Sequence, residues 1–429
     1  MTLTSPSWLV VPDDCLDVLR ALPDEGVDAV VTDPPAGISF MGKEWDSFGA
    51  AQRHFTVARS GAGLPRYGTW RPSATQDAVD AQLTVRAAFV TFMTDVMREC
   101  LRVLKPGGYA LVWAIPRTAH WTAWATEDAG FEIRDVVLHL FGSGFPKSLD
   151  VSKAIDKAAG AEREIIADNP NHRAISGVQY EGVYVGGNTG AATITAPATD
   201  DARQWKGWGT ALKPAAEHWI LARKPLIGTV AANVLAHGTG GLNIDGCRVG
   251  YADDIDKASA TDQIGRWPAN LILDEDAAQA LDAQSGTLKS GARPGGASRF
   301  FYVAKAARKE RDLGLGHLPP RSGGEATDRE DGTDGLNSPR AGAGRGGGAR
   351  NFHPTVKPVS LMRYLIRLLT PPGGVVLDRF GGSGSTAVAA LEEGFAAITV
   401  EKTDDYLPII EGRIRAALAR TAAGVRSEE

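Results

Sequence analysis

Asp33-Pro34-Pro35-Ala36 is a stretch chemically suited to hold an amine. Consecutive prolines fix φ and remove N–H donors, so the neighbouring carbonyls point outward unopposed. An exocyclic amine on an aromatic ring has two N–H bonds to satisfy. The Asp33 carboxylate and the Pro34 carbonyl can accept one each, which draws the nitrogen lone pair out of conjugation with the ring. A nitrogen held in this way can attack an electrophilic methyl, such as that of a sulfonium, and lose its proton afterwards. Methylation of a ring carbon would instead need a nucleophilic cysteine, usually after a proline. None of Cys15, Cys100 and Cys247 follows a proline. Taken alone, Asp33-Pro34-Pro35 reads equally well as an ordinary strand-ending turn.

A second loop lies near the other end of the chain. Val375-Val376-Leu377 runs into Asp378-Arg379-Phe380-Gly381-Gly382-Ser383-Gly384-Ser385. A glycine-rich turn after a buried strand lets the backbone approach a ligand closely, and the next helix presents free N–H groups. No lysine follows Gly384, so the phosphate-cradling pattern is absent. Asp378 precedes the loop and Glu401 ends the next strand. An acid there is placed to accept both ribose hydroxyls of an adenosine-containing cofactor. Upstream, His353-Pro354-Thr355-Val356-Lys357 adds a hydroxyl and an ammonium. Lys357 either neutralises a cofactor carboxylate or is an exposed lysine. Thr355 either hydrogen-bonds the cofactor or caps a helix.

The elements that must position these loops alternate. Strand patterns cover 8–11, 29–32, 109–113, 132–141, 375–377 and 396–400; helical spacing covers 15–22, 87–104, 119–129, 359–369 and 385–393. Asp13 or Asp14 is the expected N-cap of the first helix, and Lys105-Pro106-Gly107-Gly108 the expected stop of the second. This alternation marks an α/β, doubly wound sheet. Residues 41–80 read as a long loop over the site. The stretch 146–350 reads as an insertion, with 321–350 Gly/Arg-rich and mobile. The expected units are 1–145, 146–350, 351–420 and a tail, 421–429.

At 429 residues the chain has room for a large core and a second lobe. No apolar run is long enough to span a bilayer, and Met1 to Trp8 lacks a secretory pattern. Three scattered cysteines suggest neither disulfides nor a metal site and fit a reducing cytoplasm. A formal charge of -5 argues against indiscriminate coating of nucleic acid but permits a local basic cleft.

On these motifs the chain resembles the amino-methylating DNA methyltransferases, which modify adenine N6 or cytosine N4. Catalytic motif first and cofactor motif last is the permuted order of that family's beta group. Gly37 to Asp46, Phe141 to Ser148 and Gly207 to Pro214 look like its phage-borne or mobile-element branch, and the resemblance covers most of the chain. It implies S-adenosylmethionine as methyl donor and a mostly parallel, circularly permuted, seven-stranded sheet with an inserted target-recognition lobe. It implies double-stranded DNA as substrate, with the target base flipped out of the duplex. It places Asp14, with the Cys15 backbone, against the cofactor adenine. The candidate cofactor set is Asp14, Cys15, Asp33, His353, Thr355, Lys357, Asp378, Phe380, Gly381, Gly382, Ser383, Gly384, Ser385 and Glu401, with no metal.

One departure matters. The family usually carries an aromatic residue after the prolines, and here Ala36 stands there. Its absence removes about 1–3 kcal/mol of base stacking unless another ring substitutes. Phe40 or Trp45 is the candidate substitute; a weak or inactive enzyme is the alternative. Asp rather than Ser at the first motif position leans toward adenine N6 in that family, with cytosine N4, an RNA base or a protein amide still open as targets.

Lys289, Arg293, Arg299, Lys305 and Arg308, interleaved with Phe300, Phe301 and Tyr302, form the candidate DNA-contacting run. Trp205, Trp208 and Trp219 read as packing residues. A homodimer and a nuclease partner stay open.

Overall fold

The computed structural model describes residues 7–38, 44–48, 76–144, 148–168, 193–250, 265–286, 295–305, 308–322, 325 and 349–423. The chain opens with β1 (Trp8–Val11), α1 (Cys15–Ala21) and β2 (Val27–Thr32). Asp14 caps α1, its side chain accepting from the Leu16 N–H at 3.0 Å. Next come α2 (Gln76–Val103), β3 (Leu104–Ala114), α3 (Ala119–Asp128) and β4 (Glu132–Leu140). The β3 strand begins where a turn was expected. Lys105 to Gly108 lies inside it as an irregularity, with Gly107 at φ +75° and the register against β2 slipping between Val27 and Ala29.

A small lobe follows, built from α4 (Val151–Ala158), β5 (Ile165–Asp168), β6 (Thr193–Thr195) and α5 (Asp200–Gln204), with β5 and β6 forming their own two-stranded sheet. The chain then re-enters the main sheet through β7 (Ala216–Arg223), α6 (Val230–His237), β8 (Leu271–Asp274), α7 (Glu275–Ser285), β9 (Tyr302–Ala304) and α8 (Arg308–Arg311). It finishes with α9 (Val359–Leu369), β10 (Val375–Asp378), α10 (Ser385–Glu392), β11 (Ala396–Val400) and α11 (Leu407–Ala422).

The main sheet runs β1-β11-β10-β2-β3-β7-β4-β8-β9. It has nine strands where seven were expected, because β8 and β9, from the stretch read as an insertion, extend the sheet beyond β4. Only β7 is antiparallel to its neighbours. Both faces are covered, so the strands read as continuous apolar runs. The two-residue period still sorts them. Ala29 and Val31 pack with α9 and α10 on one face, while Val30 packs with Phe89, Met93 and Met97 of α2 on the other. Trp219 is fully buried, as expected of a packing residue. Trp205 and Trp208 are not: they are 39% and 60% exposed on the small lobe, edge to face at 5.0 Å. Among the described residues, no helix is long and apolar enough to cross a membrane.

Candidate active site

The two loops singled out in the sequence meet. β2 and β10 are parallel neighbours, with Val376 opposite Ala29 and Leu377 opposite Val30. Their following loops therefore open from the same end of the sheet, at the point where the chain departs in different directions. A hydrogen bond joins them: Thr32 Oγ1 donates to Asp378 Oδ1 at 2.9 Å, across 346 residues of sequence. Asp378 also accepts from the Phe380 N–H at 3.1 Å. Burial pushes its carboxyl up to about 7, and the nearby Asp33 adds to the rise. This acid organises the loop from beneath.

The glycine turn is fixed almost entirely by backbone. The Gly381 N–H donates to Val400 O at 2.8 Å, the Gly384 N–H to Gly381 O at 2.7 Å and the Gly382 N–H to Glu401 Oε2 at 2.7 Å. Gly382 has φ +53°, and a Cβ there would meet His353 Nε2 at 2.9 Å, so both the conformation and the space require glycine. Glu401 Oε1 accepts from the Thr403 N–H at 2.7 Å, and burial raises its carboxyl. The Thr403 side chain and the Lys402 backbone also hold this carboxylate. Gly384 is the N-cap of α10 and provides no side-chain cap, so the first turn keeps its N–H groups for a ligand. At the start of α1, just past the neighbouring strand β1, Asp14 pairs with Lys402 at 3.1 Å, which outweighs partial burial and lowers its carboxyl. The Cys15 thiol is buried and pushed up to about 12, leaving only its backbone for a ligand.

Arg413, from α11, was missed in the sequence. Fully buried, it donates to Ser383 O at 2.7 Å, Ser383 Oγ at 3.1 Å and Ser385 Oγ at 3.0 Å. Burial lowers its pKa to about 10. Ser385 Oγ in turn donates to Lys357 O at 3.0 Å, tying the 353–357 segment to the glycine turn. His353 is held edge-on to Tyr406 at 4.7 Å and accepts from the Thr355 N–H at 3.4 Å. Burial, with Lys357, Arg311 and Arg413 nearby, lowers His353 to about 3, so it is a neutral packing and hydrogen-bonding group. The cap of α9 falls at Pro358, not at Thr355. Phe380 is half-buried, 6.3 Å from the Phe92 ring.

Lys357 lies on the amine side of the site. Its Nζ is 3.0 Å from Asp33 Oδ2 and 3.8 Å from the centre of the Trp113 ring. It is not an exposed lysine: it is buried and pairs with the candidate catalytic acid. Burial raises the Asp33 carboxyl, Lys357 opposes that rise, and Glu217 reinforces it. Burial alone would lower the Lys357 pKa, but Asp33 and Glu217 outweigh it and raise it.

The prolines are pinned from behind. Buried Asp46 accepts from the Gly37 N–H at 2.6 Å and the Ile38 N–H at 3.2 Å, and Thr118 Oγ1 donates to Ala36 O at 2.9 Å. Gly37 sits at φ +71°, with Phe89 where its Cβ would be. Ala36 packs against the core and offers no ring. Phe40 lies outside the described residues. Trp45 is half-buried and faces Tyr406.

The basic run divides. Lys289 and Arg293 lie outside the described residues. Arg299 precedes β9 and donates to Gly296 O at 2.6 Å, its guanidinium 4.6 Å from the Phe300 ring. Exposed Lys305 follows β9, and Arg308 opens α8. Since β9 runs parallel with β8 and β4, Lys305 and Arg308 stand at the end of the sheet that carries Asp33, and Arg299 at the opposite end. Tyr302 stacks on Tyr364 at 4.1 Å and belongs to the core.

Residues 321–412 match the family model described as N6_N4_Mtase, DNA methylase. The chain is 37% identical over 76 residues to type II methyltransferase M.ScaI of Streptomyces caespitosus, covering 18% of this chain and 25% of that protein. It is 47% identical over 57 residues to type II methyltransferase M.BglI of Bacillus subtilis, covering 13% and 16%. The matched stretches thus span a quarter or less of these relatives. Among solved structures it is similar to the PvuII DNA methyltransferase (cytosine-N4-specific), with TM-score 0.42 and 14% identity over 98% of this chain and 94% of that one. Against the M1.HpyAVI–SAM complex the TM-score is 0.35 and the identity 12%, over 95% and 99%.

Proposed function

We propose that this protein is a DNA methyltransferase that uses S-adenosylmethionine to methylate an exocyclic amino group, the N6 of adenine, in double-stranded DNA. The observation that carries this reading is the Thr32–Asp378 bond, which sets the Asp33 loop beside the glycine turn. The 321–412 family match supports it independently. When bound, S-adenosylmethionine supplies a sulfonium-activated methyl group. Glu401 would hold its ribose hydroxyls, the uncapped first turn of α10 its carboxylate, and Asp14 with the Cys15 backbone its adenine. The uncapped helix and the buried Glu401 carboxylate beside the glycine turn fit that group.

Asp33 and the Pro34 carbonyl accept the two amine N–H bonds and turn the nitrogen lone pair out of the ring plane. As nitrogen gains the methyl group, its proton passes to the Asp33 carboxylate, which burial makes more basic. Adenine is favoured over cytosine by the Asp at the first motif position. Such chemistry needs the base turned out of the duplex. The test is long-read sequencing and nucleoside mass spectrometry of DNA from a methylation-free host expressing the chain. N6-methyladenine at a fixed sequence supports the reading, N4-methylcytosine corrects the base, and neither, with folded protein present, defeats it.

A further inference from the structure

A second carboxylate stands on the amine side, carried by the one antiparallel strand. We propose that Glu217 is a positioning residue for Asp33: it keeps the Lys357 ammonium when an incoming amine displaces it from the Asp33 carboxylate. This inference rests on the methyltransferase reading above.

The placement follows from register. Trp113 of β3 lies directly opposite Trp219 of β7. Glu217, two residues earlier on β7, leaves the same face and is a diagonal neighbour of Trp113. Lys357 sits on the face of that indole, 3.8 Å from the ring centre. On its other side Glu217 is directly opposite His139 of β4, with Oε2 3.8 Å from Nδ1. The ammonium is therefore acted on by two acids from different elements, Asp33 at 3.0 Å and, from further away, Glu217. The charged groups that act on it are Asp33 and Glu217; His353 of its own segment feels its charge, His139 stands beyond Glu217 and Asp378 beyond Asp33.

With Lys357 on Asp33, a neutral amine has to take the place of a cation. If Asp33 were the only acid, displacement would strand a buried ammonium, a heavily penalised state. Glu217 removes that obstacle, and the Trp113 ring face favours the cation along the way. Burial works to raise the Glu217 carboxyl, but Lys357, His139 and Trp113 outweigh it and hold it at about 2, so the acid is ionised at neutral pH.

Glu217→Gln keeps the side-chain size and removes the charge. In steady-state methylation by the full chain at saturating S-adenosylmethionine, the KM for DNA should rise about tenfold or more at neutral pH, with kcat changed far less. The defect should shrink toward alkaline pH, because losing Glu217 lowers the Lys357 pKa and an uncharged lysine no longer competes for Asp33. The cofactor-free affinity for the same duplex should weaken in parallel. Glu217→Asp should restore most of the KM, and in a Lys357→Met background Glu217→Gln should add nothing. Calorimetric binding of S-adenosylmethionine should match wild type. A KM defect independent of pH, full additivity with Lys357→Met, or an unaffected KM in an active enzyme would overturn the role of Glu217 alone. A wild-type chain that methylates no DNA would overturn the methyltransferase reading, and this inference with it.

Discussion

The cofactor cradle and the amine wall, side by side at one end of the sheet, are built in opposite ways. In the cradle nearly every polar group is spoken for: Asp378 by Thr32 and Phe380, Glu401 by Gly382 and Thr403, and Ser383 and Ser385 by Arg413. In the wall, Trp113 Nε1 and both imidazole nitrogens of His139 are buried with no partner at hydrogen-bond distance, Glu217 acting on His139 from 3.8 Å, whereas in the cradle loop Arg379 Nε is the corresponding exception among the described residues. Unpaired buried donors cost free energy, and such groups beside a candidate catalytic acid suit a surface completed by its ligand. One side is organised before binding; the other is organised by it.

That contrast can be broken most directly at Asp33. Asp33→Asn is expected to lower the methylation rate by about 10²–10⁴-fold. S-adenosylmethionine affinity and melting temperature should stay near wild type, since Glu217 still partners Lys357. A large loss of stability would show that the wall, too, is structural. In the cradle the opposite pattern is expected. Arg413→Met should cost about 2–3 kcal/mol in denaturant unfolding, because it orphans buried serine oxygens, and should weaken cofactor binding in the same variant. Gly382→Ala should behave alike but more mildly, about 1–2 kcal/mol, from strain at φ +53° and the contact with His353.

Two groups of the cradle give opposed pH slopes. His353 falls to about 3 from an ordinary 6.5. The folded chain then binds fewer protons than the unfolded one between those values, and stability drops as pH falls through that window. Asp378 rises to about 7 from 3.8, so the folded chain binds more protons there and stability drops as pH rises. His353→Gln should leave the second slope alone: thermal melts would then fall from mildly acidic to neutral pH more steeply than in wild type. The smallest effect concerns DNA. Lys305→Ala should reduce the slope of log affinity against log salt by about 1, and Arg299→Ala, at the far end of β9, should leave it unchanged.

Much of this site was legible because its signals are local. A buried strand followed by Asp-Pro-Pro, and another followed by a glycine run, read directly from residue order, as did the Asp14 cap. Arg413 was not legible, since nothing around it announces three bonds to a turn about thirty residues upstream. Glu217 was hidden for a related reason: its role comes from the cross-strand register of β7, which only the folded sheet defines. Within the basic run 289–308, the three-residue strand β9 separates Arg299 from Lys305, a division that residue order alone does not announce. Of the two extra strands, β8 overlaps 270–273, which reads as a strand-like piece within the insertion, whereas β9 is only three residues long and gives no periodic signal.

Within the sheet, β1 pairs only with β11. Its partner residues, 396–400, lie at the far end of the described chain, so this pairing closes a very long loop and is slow to form compared with local contacts. A chain in which that strand has not yet docked would hold out both β1 and β11 as unpaired edges, the kind that recruit other chains.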